Sequence, residues 1–136
     1  MRTPQDLPSR IEVVRRRDAF ERDPHGFAAA WREENRKLRR KIAVARARVN
    51  LIAVPDDVLE QAAKLCIALG TDGLRGELTL MRAARAVAAY EGSETVKVDH
   101  LKRVAPPALR HRLRRDPLDE AGSTVRVELA LQKTFG

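Results

Sequence analysis

Cysteine, aromatic residues and long apolar runs are what this 136-residue sequence most lacks. Its single cysteine, Cys66, excludes an internal disulfide framework and points to a reducing compartment, so a cytoplasmic setting is expected. No run of about 18 apolar residues occurs, which excludes a helical membrane span. No apolar segment follows Met1-Arg2-Thr3-Pro4-Gln5-Asp6, so no secretory signal is read there. Aromatics make up 4% of the residues, which leaves the core to Leu, Ile, Val and Ala and favours helices over sheets. Catalytic signatures are absent as well. There is no G-x-x-x-x-G-K-[ST] phosphate loop, no acidic cluster closing an apolar strand, and no Ser/His/Asp or paired-carboxylate arrangement. His25, His100 and His111 do not have metal-ligand spacing, and Cys66 sits among apolar positions as a small buried hydrophobe.

Positive charge is what the chain has in excess. Its formal net charge is +8, and 21 of the 27 basic residues are arginine. Residues 1–48 carry +7, residues 49–101 carry −3 and residues 102–136 carry +4. Basic ends around an acidic middle invite a nucleic-acid reading that draws on residues 32–48 and 110–115. Two alternatives stand beside it: surfaces that dock on acidic neighbours, and solvated helix faces laced by i,i+4 ion pairs.

The pattern along the chain is helical. Asp6 opens a first helix with Pro8 in its opening turn, Leu7, Ile11 and Val14 facing inward, and Arg15-Arg16-Arg17 as its basic end. Asp23-Pro24 starts the next. Phe27, Trp31, Leu38, Ile42, Ala45 and Val49 share one stripe, with a joint expected at Glu33-Glu34-Asn35. A third helix opens at Pro55 or Asp56 and is capped by Gly70. Another spans 74–90. Residues 93–98 read as an extended connector, after which Asp99 caps a helix beginning at His100. Pro106-Pro107 is expected to break or kink that helix. Beyond Gly122, Val125, Val127, Leu129 and Leu131 alternate, and residues 123–136 form a tail left open between strand-like, helical and disordered.

The segment Asp72-Gly73-Leu74-Arg75-Gly76-Glu77-Leu78-Thr79-Leu80-Met81-Arg82 carries the most information. Helical projection puts Leu74, Leu78, Met81, Ala84 and Ala88 on one apolar face, with Arg75 roughly opposite and Arg82 about 20° from it. An arginine in a first turn opposes the helix dipole, so it either pairs with Glu77 or Asp72 or meets an anion beside the free N–H groups.

Residues 72–92 resemble the sensor-2 helix in the lid of an AAA+ ATPase. Together with Leu109-Arg110-His111-Arg112-Leu113-Arg114-Arg115-Asp116-Pro117-Leu118, they are similar to the ATPase (I) subunit family of magnesium chelatase. Ile11–Asp18, Phe27 with Trp31, and Leu65–Gly70 fit the same pattern, and the similarity covers most of residues 4–125. Cobalt-chelatase and MoxR-type ATPases share the architecture but fit the second motif less well. The resemblance implies an all-α fold, a small bundle of about four to five helices of the sensor-2 lid type. It implies a lid over residues 1–122 with a helical insertion at about 10–50, followed by the tail 123–136. It also implies a role in a hexameric ring that binds ATP and Mg²⁺ between subunits. With the D and H subunits, such a ring inserts Mg²⁺ into protoporphyrin IX on the way to chlorophyll and bacteriochlorophyll. Arg75 matches the sensor-2 arginine that reaches the terminal phosphates, with Leu74 and Arg82 as supporting positions.

The family's phosphate loop, Mg²⁺-binding carboxylates, sensor 1 and arginine finger have no counterpart here. The chain is therefore expected to be an excised lid or a natural remnant, to hold no cofactor alone and to show negligible ATP turnover. Its implied partners are the AAA+ core of the same subunit, neighbouring I subunits and the D and H subunits. Nucleic acid is disfavoured. A basic helical nucleic-acid-binding or assembly-adaptor module is the competing expectation.

Overall fold

The structure, a computed structural model, describes residues 5–71, 73–111, 113 and 122–135. Among them are seven helices: α1 (Leu7–Arg22), α2 (Pro24–Ala30), α3 (Arg32–Arg48), α4 (Asp56–Leu69), α5 (Arg75–Glu91), α6 (Val98–Leu109) and α7 (Ser123–Phe135). A 3₁₀ turn at Val49–Leu51 and one parallel bridge, Ala53 to Thr95, complete the described residues. The all-α expectation holds, with more helices than the four to five expected. Two compact units divide the chain, residues 1–41 and 42–136.

The first unit begins where the sequence indicates. The Asp6 carboxylate accepts the Ser9 N–H at 2.9 Å, and Asp23 accepts the Gly26 N–H at 2.9 Å, so each aspartate satisfies a first-turn donor. Three features differ from expectation. α1 runs on through Arg15-Arg16-Arg17 to Arg22, because Glu12–Arg16, Arg17–Glu21 and Asp18–Arg22 pairs at i,i+4 carry it forward. Leu7, Ile11 and Val14 share a face, yet all three are exposed and α1 buries nothing. The joint after α2 lies at Trp31, ahead of Glu33-Glu34-Asn35, because the two glutamates sit in the first turn of α3, where the helix dipole favours them. The aromatic residues of this unit form a ring cluster. Phe20 meets Phe27 edge-on at 5.8 Å, Phe27 lies 6.0 Å from Trp31, and the Arg16 guanidinium covers Trp31 at 4.8 Å.

The second unit holds the core. α5 packs along α6 and against α4, while α7 lies on α4 and α6. Leu65, Leu80, Leu101, Leu109 and Val127 are fully buried at these crossings. Ala84, Ala88 and Ala105 allow close helix approach. Residues 122–135 join this core through α7, whose Val127 and Ala130 are buried.

Two expectations for α6 are corrected. The helix starts at Val98, not His100, and Asp99 lies inside its first turn. The His100 imidazole performs the capping: its Nδ1 accepts the Lys97 N–H at 3.0 Å and its Nε2 faces Glu91 at 3.2 Å, which fixes Nε2 as the protonated nitrogen by network logic. Nor do Pro106 and Pro107 break the helix. Both fall in its final turn, where two missing donors cost little continuity, and the Arg110 N–H still reaches the Pro106 carbonyl at 3.2 Å.

Candidate functional site

The candidate site is the junction of α4 and α5. α4 ends as its sequence dictates. Gly70 adopts φ 63°, its N–H reaches the Ile67 carbonyl at 3.0 Å, and the Thr71 N–H reaches the Cys66 carbonyl at 3.1 Å. This paired pattern requires a left-handed residue, which glycine supplies without steric cost. The Thr71 hydroxyl donates to the same Cys66 carbonyl at 3.2 Å, so one side chain and one backbone amide tie the turn to the end of α4.

α5 begins after Gly73 and Leu74. Leu74 occupies the N-cap position, has no side-chain acceptor to offer, and is 74% exposed. Arg75, the first helical residue, is exposed, and its guanidinium forms no ion pair with any described residue. Glu77 does not pair with it, and Asp72, the other acid considered, lies outside the described residues. Arg82 lies about 10 Å along the axis and about 20° around it; it too is exposed and without an acidic partner among the described residues. Arg85 extends the same surface.

The buried face of α5 is not the one that helical projection selected. Gly76, Leu80, Ala84, Ala88 and Ala89 are buried, whereas Leu74 and Leu78 are exposed and Met81 is half-buried. The Gly76–Leu80–Ala84–Ala88 stripe is rotated by about 80° at 100° per residue from the expected face and has Arg75 and Arg82 almost diametrically opposite it, while Ala89, seven residues after Arg82, is buried nearer the other end of the helix. Both arginines therefore point away from the bundle.

Gly76 explains how this end of α5 is set. A Cβ built there would lie 2.9 Å from Thr71 Oγ1, 3.2 Å from Thr71 Cβ and 3.3 Å from Cys66 Sγ. Only a residue without a side chain lets the first turn of α5 come this close to α4. Glu77, next in line, is half-buried, and its Oε2 is buried without a hydrogen-bond partner among the described residues. Burial, then the Glu77 charge, pushes the Cys66 thiol up to about 11, with the Thr71 hydrogen bond acting the other way. Cys66 is thus a packed, protonated thiol rather than a nucleophile.

The remaining sequence candidates do not gather at this site. His100 is part of the α6 cap, and Arg103 pairs with the Glu91 carboxylate that also receives His100. That arginine's hydrogen bond, helped by the Arg103 charge and by the interaction with His100, holds Glu91 below the usual carboxylate range against a smaller opposing effect of burial. His111 receives the Arg110 Nε–H at 3.0 Å, and His25 is exposed on α2. In the basic stretch 32–48, Arg36 pairs with Glu33 and Lys37 with Glu34, the pattern of a solvated face. Arg112, Arg114 and Arg115 lie outside the described residues. Sequence reasoning missed the Cys66–Thr71–Gly76 contact and the Glu91–His100–Arg103 cluster. The first had a signal, a glycine at the second position of a helix where alanine would be preferred. The second, between residues nine and twelve apart, had none.

No helix among the described residues is long and apolar enough to cross a membrane. A family model for the AAA lid domain matches residues 59–130, which run from α4 into α7 and include the whole candidate site. Over 135 residues, 99% of its length, the chain is 58% identical to the magnesium-chelatase 38 kDa subunit of Acidiphilium rubrum and covers 39% of that protein. It is 54% identical over 133 residues to the 38 kDa subunit of Rhodobacter capsulatus, covering 98% of this chain and 38% of the relative. With the chloroplastic magnesium-chelatase subunit ChlI of Oryza sativa subsp. indica it shares 39% identity over 133 residues, 98% of this chain and 32% of the relative. The chain thus spans about two fifths or less of the length of these relatives. With the matched helices, the outward arginine and the close α4–α5 junction in one segment, the chain belongs to the AAA lid domain family, and its nearly full-length similarity is to magnesium-chelatase 38 kDa and ChlI subunits.

Proposed function

We propose that the chain is the sensor-2 lid of the ATPase subunit of a magnesium chelatase, the enzyme that couples ATP hydrolysis to insertion of Mg²⁺ into protoporphyrin IX. In this reading the lid closes over ATP held with Mg²⁺ by the AAA+ core of the same subunit, within a ring of such subunits that works with the D and H subunits. Bound MgATP supplies the phosphoryl group to be transferred and its counter-charge. The lid contributes Arg75. Its guanidinium offers up to five donors in a rigid planar fork, and the adjacent α5 terminus adds backbone N–H groups and the positive end of the helix dipole. Charge that develops on a transferring phosphoryl group is stabilised by donors already in place, so the arginine acts mainly on kcat. Leu74 and Arg82 flank it and are assigned supporting positions.

One observation carries the reading: Arg75 stands exposed, unpaired with any described residue, at the first position of a helix whose opposite face is locked into the core. The residues present fit a terminal phosphate and nothing more of a nucleotide. There is one guanidinium and one helix terminus, and among the described residues no group of three His, Cys, Asp or Glu side chains suited to a metal. The lid alone is accordingly expected to bind ATP negligibly. The test is Arg75→Ala in the complete subunit. ATP turnover is expected to fall by about 10²- to 10³-fold with an unchanged melting temperature. Wild-type turnover in that variant overturns the assignment.

A further inference from the structure

We propose that Gly76 is a positioning residue for Arg75: the missing side chain at 76 lets the first turn of α5 seat against Thr71 and Cys66, and that seat aims the guanidinium. The inference rests on the sensor-2 reading and adds to it the element that fixes the arginine's direction.

The geometry carries it. Three atoms crowd the place of a Cβ at 76, and the nearest, Thr71 Oγ1 at 2.9 Å, is not the free end of a long side chain. The Thr71 hydroxyl and amide both bind the Cys66 carbonyl, at 3.2 and 3.1 Å, so Oγ1 can rotate away only by giving up its hydrogen bond, and Thr71 Cβ, 3.2 Å from the built Cβ, is carried on backbone tied to the last turn of α4. Cys66 is fully buried in the core, with its Sγ 3.3 Å from the built Cβ. The yielding partner is therefore the first turn of α5, which has no side-chain cap at Leu74 and follows a left-handed Gly73 at φ 62°. A contact of 2.9 Å has to open by about 0.5 Å or more to become ordinary van der Waals contact. Arg75 is covalently adjacent and moves with the turn, while the core anchors at Leu80, Ala84 and Ala88 stay where they are. A displacement on the order of 1 Å at a catalytic group costs about 10²-fold in rate.

Helix propensity makes the opposite prediction. Alanine is a better helix former than glycine, so a merely structural view expects Gly76→Ala to be neutral or stabilising and ATP turnover to be preserved. The two views differ in sign.

The test measures ATPase kcat and KM in the complete subunit for Gly76→Ala, Arg75→Ala, Thr71→Gly and the double variants, with thermal melting as a check on folding. Gly76→Ala is expected to lower kcat roughly 10- to 100-fold with KM changed by less than about threefold. Thr71→Gly removes two of the three crowding atoms, so Thr71→Gly/Gly76→Ala is expected to recover the kcat of Thr71→Gly alone. In the Arg75→Ala background, Gly76→Ala is expected to cause no further loss, because the residue acts only through the arginine. Wild-type kcat in a folded Gly76→Ala subunit overturns the proposal, as does a loss that Thr71→Gly does not relieve or that adds fully to Arg75→Ala. Should Gly76→Ala fail to fold, the comparison of Thr71→Gly with its double variant decides in the same way. Wild-type turnover in Arg75→Ala instead refutes the sensor-2 reading itself, a separate result.

Discussion

Replacing Leu80 with alanine removes a side chain of zero exposure from the face where α5 meets the core, and replacing Leu78 removes one that is 53% exposed on the same helix. The two leucines are two residues apart and chemically identical, so helix propensity and unfolded-state effects largely cancel between them. Leu80→Ala loses the transfer free energy of the buried atoms and leaves a cavity that the surrounding core closes only in part, a cost of about 2–5 kcal/mol. Leu78→Ala on the outer face costs within about 0.5 kcal/mol. In a compact unit of this size, 1 kcal/mol shifts Tm by roughly 4–8 °C, so a 3 kcal/mol loss lowers it by about 12–24 °C. The assay is urea and thermal unfolding of both variants followed by circular dichroism at 222 nm, with equal m-values as the check that the unfolded states match. If Leu78→Ala costs as much as Leu80→Ala, the inward face of α5 is wrong, and with it the outward direction of Arg75.

Glu91 gives an acid-side prediction. Its folded carboxyl lies below the ordinary value of 4.5, chiefly through the Arg103 hydrogen bond, so its contribution to stability is present above 4.5 and is lost as pH falls through the lowered folded value. The Tm gap between wild type and Glu91→Gln should narrow between pH 7 and pH 3; a constant gap counts against the charge pairing. Cys66 gives an alkaline one. With its folded thiol near 11 against 9.0 when unperturbed, the unfolded chain sheds a proton first, so stability should decline from about pH 9 to pH 11 in wild type and not in Cys66→Ala. A disulfide reagent at pH 8 should label Cys66 only in denaturant; rapid labelling of the native chain contradicts its burial.

Chain ends and caps were legible where a single residue determines them. Asp6, Asp23 and Gly70 do in the structure what their chemistry indicates, because each satisfies or orients backbone groups within a few residues of itself. The face of α5 was not legible. Met81, Ala83, Ala84, Ala86, Val87, Ala88 and Ala89 put apolar surface almost all round the helix, so its periodicity has no sharp maximum. The choice between Leu78 and Leu80 is made by packing against α4 and α6, the elements before and after α5, which the periodicity of α5 alone does not register. α7 misled for a related reason: Val125, Val127, Leu129 and Leu131 alternate, yet Val127 and Ala130, three apart, are the buried pair. The start of α6 was hidden because His100 caps it with an imidazole rather than the expected carboxylate of Asp99. At the candidate site, the outward placement of Arg75 was readable and the contact holding it was not, since a close approach shows in sequence only as a glycine.

Three arginines on α5 share an outward surface, and electrostatics separates them. Arg75 sits in the first turn, where its charge opposes the helix dipole by about 0.3–1 kcal/mol, an effect confined to that turn. Arg82, two turns later, and Arg85 beyond it escape this cost and also lack the free N–H groups that a helix start exposes. An anion placed at the α5 terminus relieves the repulsion at Arg75 and gains hydrogen bonds from guanidinium and backbone together; the same anion beside Arg82 gains only a guanidinium in solvent, worth little after screening. The unfavourable position of Arg75 in the free lid and its suitability for a terminal phosphate thus share one cause. Gly76 packing, the Gly70 cap and the Leu80–Ala84–Ala88 face together supply the stability that lets the helix begin on a positive charge.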